Sequence, residues 1–394
     1  MLPTQSLLLP LFGSAVTATN LLVSHYAGTI SSLAFNNKNA LTLTSEASTG
    51  NTLPSWITYD GVGKTLYIPS EALPPLTTGD LISYSVSKNG SSTPNGKVTA
   101  PFGQVATTLY GGKDGRGFIA NAHYHAAQVT TFKLPLKGGA PLQALKYEMS
   151  GPGVDPIRQE APHPHHVLVD PTGQFLLVID LGADLIRINK IDATSGKLTE
   201  CPSAVPAPGS GIRHAAFWTP ASGYSRVQRG REGTRLFVGN ELTNTVAGWS
   251  VSYPAGGCLT LALKQTLTPY QGNSSATAGT SVGEIKVKDN FLYNTNRNDT
   301  KFANSNSITQ YNIASDGTLT WADLTPTYGT IPRTFDINKR GDFLAFGNQA
   351  SANIAIVPRD RVTGKLGKLA ANLRVGPTGI PGGYEGISAV VWQE

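Results

Sequence analysis

Five of the seven histidines fall in two short clusters, His123-Tyr124-His125 and His163-Pro164-His165-His166, and a sixth, His214, follows Arg213. Glu284 and Arg333 begin apolar runs as Arg213-His214 does, while Asp180, Glu241 and Arg297 end such runs. These residue types suit acid–base chemistry on an anion. An arginine offers a permanent planar charge that can grip a carboxylate with two hydrogen bonds. A histidine or glutamate beside it can move protons near neutral pH. Taken singly, each is as well explained as a polar group satisfying a hairpin end. Taken together, at equivalent ends of successive hairpins, they point to one face. A metal site is the second reading, with imidazoles from His123-x-His125 and His163-x-His165-His166. No clustered acidic motif accompanies those histidines, which makes the metal the weaker reading. The chain has no Gly-x-Ser-x-Gly elbow, phosphate-binding loop, dinucleotide fingerprint or His-Glu-x-x-His.

The elements that must position these residues are repeated. A short apolar strand with a polar tail recurs in seven copies. They are Leu21–Tyr26, Thr65–Ile68, Gly117–Asn121, Phe175–Asp180, Arg235–Glu241, Phe291–Arg297 and Phe343–Asn348. Turn residues precede several copies, as in Asp170-Pro171-Thr172-Gly173 and Lys339-Arg340-Gly341-Asp342. A shorter strand precedes the turn: His166–Val169, His214–Phe217, Glu284–Val287 and Thr334–Ile337. An alternating strand such as Leu185–Ile191 follows, then a turn at Ser195-Gly196-Lys197-Leu198 or Thr363-Gly364-Lys365-Leu366. Hairpin after hairpin is an antiparallel meander. The expected fold is all-β, a seven-bladed β-propeller closed by Gly386–Trp392 joining the blade that begins at Leu21. Closure leaves no open sheet edge. No composition break divides residues 19–394, so they read as a single domain. In such hairpins the start of the first strand and the end of the second share one edge. His163, His165, Arg213, His214, Glu284 and Arg333 are therefore expected on the same face as Asp180, Glu241 and Arg297.

Charged residues are 14% of the 394, well under the roughly 25% of an average globular protein. The net charge of +6 is spread without basic runs, which argues against nucleic-acid binding and leaves anionic small molecules as partners. Leu7 to Val16 is apolar and is followed by Val16-Thr17-Ala18, so residues 1–18 read as a signal peptide, with a first strand or a tail as the alternative. The stretch is too short to span a membrane. Three sequons, at Asn89, Asn273 and Asn298, agree with a secreted glycoprotein, extracellular or in a cell wall. Cys201 and Cys258 permit one disulfide; two buried thiols are the alternative.

The stretch from His163-Pro164-His165 to Asp184 resembles the seven-bladed lactonase family, which includes fungal carboxy-cis,cis-muconate cyclases and 6-phosphogluconolactonases. The likeness continues through Gly211-Ile212-Arg213-His214, Asn240-Glu241-Leu242, Asn296-Arg297 and the Gly341-Asp342-Phe343-Leu344 blade. It is good over residues 100 to 394 and weak in the first two blades. The resemblance implies that His165, Arg213, Glu241 and Arg297 are catalytic; the hairpin-end pattern adds His163, Asp180, His214, Glu284 and Arg333 around the substrate. Arg213 and Arg297 would hold carboxylates and stabilise developing negative charge. His165 or Glu241 would transfer the proton. Neither a cofactor nor a metal is implied. The sequence departs from the family at His166, where a small residue is expected, and at His123-Tyr124-His125, in place of a glycine-rich turn.

The first functional reading is a lactone-forming or lactone-opening enzyme resembling carboxy-cis,cis-muconate cyclase, acting on an anionic carboxylate substrate by arginine-assisted, metal-free acid–base catalysis. The second is a 6-phosphogluconolactonase-like hydrolase. The third is a non-catalytic secreted or cell-wall glycoprotein using the propeller as a scaffold.

Overall fold

The computed structural model describes residues 18–50, 53–220 and 232–394. Residues 1–17, nearly the whole of the expected signal peptide, lie outside the described residues. Seven four-stranded antiparallel sheets form the blades. In blade order from the first, the innermost strands are Ile387–Trp392, Thr58–Asp60, Gln104–Tyr110, Pro164–Val169, Ile212–Trp218, Ser281–Lys288 and Pro332–Ile337. Their second strands are Thr19–His25, Thr65–Pro69, Phe118–His123, Phe175–Asp180, Arg235–Asn240, Phe291–Arg297 and Phe343–Asn348. All seven repeat copies are thus second strands. The C-terminal strand closes blade 1, with Leu21 opposite Trp392 and Val23 opposite Val390.

The second strands are apolar without alternation because both faces are buried. In Phe175–Asp180, Phe175, Leu177 and Ile179 pack on Ile212, Leu236 and Val238 of blade 5. Leu176 and Val178 pack on Ala120 and Val105 of blade 3. Successive side chains point to opposite faces, so each neighbouring blade receives every second residue. Full burial of each is worth about 1.5–3 kcal/mol, and Leu177→Ala would cost about 2–5 kcal/mol.

The two glycine turns recognised in the sequence lock blade to blade. Tyr110 of blade 3 donates its hydroxyl to the Gly196 carbonyl at 2.6 Å, and Tyr293 of blade 6 does the same to Gly364. Both glycines have positive φ, and a Cβ would come within 2.4 Å of Phe118 or 2.5 Å of Phe291. Only glycine fits both the angle and the contact.

Cys201 and Cys258 are joined, Cα atoms 5.8 Å apart, tying the outer edges of blades 4 and 5. The asparagines of the three sequons, Asn89, Asn273 and Asn298, are all exposed. No helix among the described residues is long and apolar enough to cross a membrane.

Candidate active site

Several of the innermost strands carry the same irregularity near their starts. Pro164 opposes Asp180 and His166 opposes Ile179, leaving His165 as an extra residue. The same shift bulges Val105 in blade 3, Arg213 in blade 5 and Arg333 in blade 7. A bulge re-aims its residue out of the pleat. All four bulged residues line one cavity of about 400 Å³ at the end of the central channel, a size suited to a small ligand. The second strands supply the opposing groups from their ends: Arg297, Glu241 just past Asn240, Tyr124 just past His123, and Glu71 two residues past Pro69.

Glu241 is 4% exposed and faces three guanidiniums. Arg213 donates to its Oε2 at 2.6 Å, Arg297 lies 3.0 Å from the same oxygen, and Arg158 donates to Oε1 at 2.8 Å. Burial opposes ionisation, but Arg297, Arg213 and Arg158 outweigh it and hold the carboxyl well below the usual carboxylate range. Burial first, then Arg297, draws Arg213 down to about 9, still charged at neutral pH. Nε of Arg213, Nε of Arg297 and Nδ1 of His165 are buried without a protein partner among the described residues. Burial, followed by Arg213, His214, Arg333 and Arg297, keeps His165 well below the ordinary histidine range, so its imidazole is neutral. Arg333 sits 5.4 Å over the Tyr26 ring and forms no ion pair with the described residues. The cavity thus holds four guanidiniums against buried Glu71 and Glu241 and the exposed Glu160.

His165, Arg213, Glu241, Arg297 and Arg333 are brought together as the sequence anticipates. His163, Asp180, His214 and Glu284 are not part of the cavity lining. His163 stacks on Tyr124 at 4.1 Å, and its ring nitrogens meet the Tyr124 carbonyl and Glu160. Asp180 accepts from the backbone N–H of His163 and Ala183 and from Arg187, locking the hairpin end. His214 and Glu284 face each other at 3.3 Å, with Trp56 and His166 against the His214 ring. For His214 the reason is the pleat: it follows the bulged Arg213 and turns to the other side of the strand. In blade 6 the irregularity spans Gly283 and Glu284, both opposite Thr295, and a Cβ at Gly283 would come 2.6 Å from the Thr295 hydroxyl and 2.9 Å from the Pro332 carbonyl. Glu284 instead borders a separate cavity of about 240 Å³ with Trp56, His166 and Lys286. Despite its burial, His214 and Lys286 hold Glu284 down to about 2.

His123 is also committed. Its ring nitrogens lie 2.9 Å from the Pro101 carbonyl and 2.8 Å from the Thr130 hydroxyl. Among the described residues, no three His, Cys, Asp or Glu side chains are grouped to hold a metal ion.

Glu71, Arg158 and Tyr384 are among the lining residues that have no counterpart in the sequence reading. Arg158 and Tyr384 come from loops, before the innermost strands of blades 4 and 1. Glu71 belongs to blade 2, where the repeat is faintest. Its place just beyond a second strand is the signal that also marks Glu241.

A family model described as "Lactonase, 7-bladed beta-propeller" matches residues 20–380. A protein of Arthroderma benhamiae named probable 6-phosphogluconolactonase is 30% identical over 356 residues, 90% of this chain and 86% of its own. The 6-phosphogluconolactonase of Bacillus subtilis is 28% identical over 263 residues, 66% and 68% of the two chains. Among solved structures, a putative 6-phosphogluconolactonase from Bacteroides fragilis matches with a TM-score of 0.77 at 22% identity, over 96% of this chain and 99% of its own. The periplasmic gluconolactonase of Pseudomonas aeruginosa matches at 0.75 and 23%, over 95% and 99%. The structural likenesses speak to the fold.

Proposed function

This chain belongs to the seven-bladed β-propeller lactonase family, and on that footing we propose that it hydrolyses the lactone of an anionic sugar acid, of the 6-phosphogluconolactone type. The observation that carries the reading is the cationic cavity with a neutral imidazole in its wall. Arg213 and Arg297 polarise the lactone carbonyl and stabilise the oxyanion formed when water attacks. His165 accepts the proton of that water. An anion bound among the guanidiniums offsets their charge and raises the basicity of His165. Glu241 holds Arg158, Arg213 and Arg297 in register, and is too firmly ionised to donate a proton. Arg333, free of ion pairs among the described residues, takes the anionic substituent.

The cyclase reading ranks second to the hydrolase, because the relatives from Arthroderma benhamiae and Bacillus subtilis, at 30% and 28% identity, carry the hydrolase name. An extracellular location remains a proposal, supported by the exposed sequons and the joined cysteines.

The test is acid release above the spontaneous rate from 6-phosphoglucono-δ-lactone and δ-gluconolactone. The wild type should turn over the phosphorylated lactone faster. Arg213→Ala should lose about 10²–10³-fold in kcat. Wild-type rates equal to background on both lactones would overturn the reading and favour a scaffold.

A further inference from the structure

The cavity contains a second buried carboxylate in a contrasting setting. Glu71 is 5% exposed, as deeply buried as Glu241. Its backbone is pinned on both sides: its N–H donates to the Leu53 carbonyl at 2.9 Å, and its own carbonyl accepts from Gly103 N–H. Its side chain accepts one neutral hydrogen bond, from the Tyr26 hydroxyl to Oε2 at 2.8 Å. Among the described residues no cation lies within ion-pair distance of it, whereas Glu241 has three. The charged and titratable groups facing it are Arg333, Arg213, Tyr26 and Tyr384.

We propose that Glu71 is the general acid of the lactonase reaction, protonating the ring oxygen as the carbon–oxygen bond breaks, with Tyr26 as its positioning residue. The inference rests on the hydrolase reading. Water adds to the carbonyl carbon and gives a proton to His165. The tetrahedral oxyanion collapses, the bond to the ring oxygen breaks, and that oxygen takes the Glu71 proton. The product is a hydroxy acid, and proton exchange with solvent restores both side chains. Burial supports the assignment by raising the Glu71 carboxyl above its ordinary value, against the pull of Arg333, Tyr26 and Arg213. One carboxyl held ionised and one pushed toward its acid form, in the same cavity, is the arrangement that divides electrostatic and acid roles between two acids.

Glu71→Gln keeps the acceptor for Tyr26 and removes the proton. It should lower kcat on δ-gluconolactone by about 10²-fold or more, with KM nearly unchanged. It should also abolish the alkaline limb of the pH–rate profile. Dihydrocoumarin leaves as a phenolate and needs less protonation, so its loss should be at least tenfold smaller. Equal losses on both substrates, or no loss on δ-gluconolactone, would overturn the proposal. If the variant fails to fold, Tyr26→Phe decides: removing the donor should move the alkaline limb to higher pH, and an unmoved limb overturns the assignment. If the wild type hydrolyses neither lactone, the hydrolase reading itself fails. Infrared titration separates that failure from the proton's location. A carboxylic-acid band that persists above the ordinary glutamate range and vanishes in Glu71→Gln places the proton on Glu71. Absence of that band overturns the proposal whatever the activity.

Discussion

The two walls of the cavity are built differently. The wall from blades 4 to 6 is cross-linked by charge, with Glu241 joined to Arg158, Arg213 and Arg297. The wall from blades 7, 1 and 2 is held by neutral and ring contacts: Tyr26 to Glu71, Arg333 over Tyr26, and Tyr384 edge-on to Tyr26 at 6.1 Å. Glu241 and Glu71 are 4% and 5% exposed, so depth of burial does not separate them. The number of cationic partners does. Burial penalises both ions, and only on one wall do guanidiniums more than repay it. One wall is therefore fitted to hold charge and the other to carry a proton.

The comparison is broken most severely by Glu241→Gln. It leaves three guanidiniums without their shared anion, and should cost about 3–5 kcal/mol in denaturant unfolding together with nearly all turnover. Glu71→Gln should stay within about 1 kcal/mol of wild type, since its hydrogen bond survives. Similar losses in the two variants would mean that the walls do not differ as described. The disulfide, remote from both walls, is the control. Cys201→Ser with Cys258→Ser opens a loop of 57 residues and should cost about 2–4 kcal/mol, with kcat unchanged. Arg333→Ala sharpens the comparison on the substrate side. Its guanidinium has a ring contact with Tyr26 but no ion pair among the described residues, so the main effect should be on binding, raising KM on 6-phosphoglucono-δ-lactone about tenfold or more while folding stays intact.

The smallest effect is a difference of sign with pH. Glu241, held low, contributes stability above the ordinary carboxylate range and loses it as pH falls. Glu71, raised, does the reverse: its contribution is greatest below about pH 4.3 and is lost as pH rises through its folded value. Thermal melts should therefore show Glu71→Gln gaining on wild type as pH rises from 4 to 7, while the deficit of Glu241→Gln shrinks on the acid side. Burial also lowers His166 to about 3 and His123 to about 4. Both contribute fully above about pH 6.5 and lose stability as pH falls toward those values, by up to about 1.4 kcal/mol per pH unit each. His166→Asn should flatten that slope, and an unchanged slope would count against a neutral, half-buried imidazole.

Blade number, the strands of each hairpin and the closing strand were legible in the sequence. A strand buried on both faces must be apolar throughout, and tight hairpins need particular turn residues, so both leave marks in one dimension. The convergence of His165, Arg213, Glu241, Arg297 and Arg333 followed from that pattern. Which member of each adjacent pair faces the cavity did not. His165 and His166, or Arg213 and His214, look equivalent as residue types, and a single extra residue reverses the face of a strand. Whether that residue bulges depends on pairing with the next strand. Glu71, Arg158 and Tyr384 reach the cavity from a faint repeat or from loops without period, and only the closed ring brings blade 2 and blade 1 opposite blades 4 to 6. The sequence by itself determined a seven-bladed ring with charged and titratable groups at one end. The tertiary structure decided which of them share a cavity, and how many partners each carboxylate meets there, because those counts are set across blades that are distant along the chain.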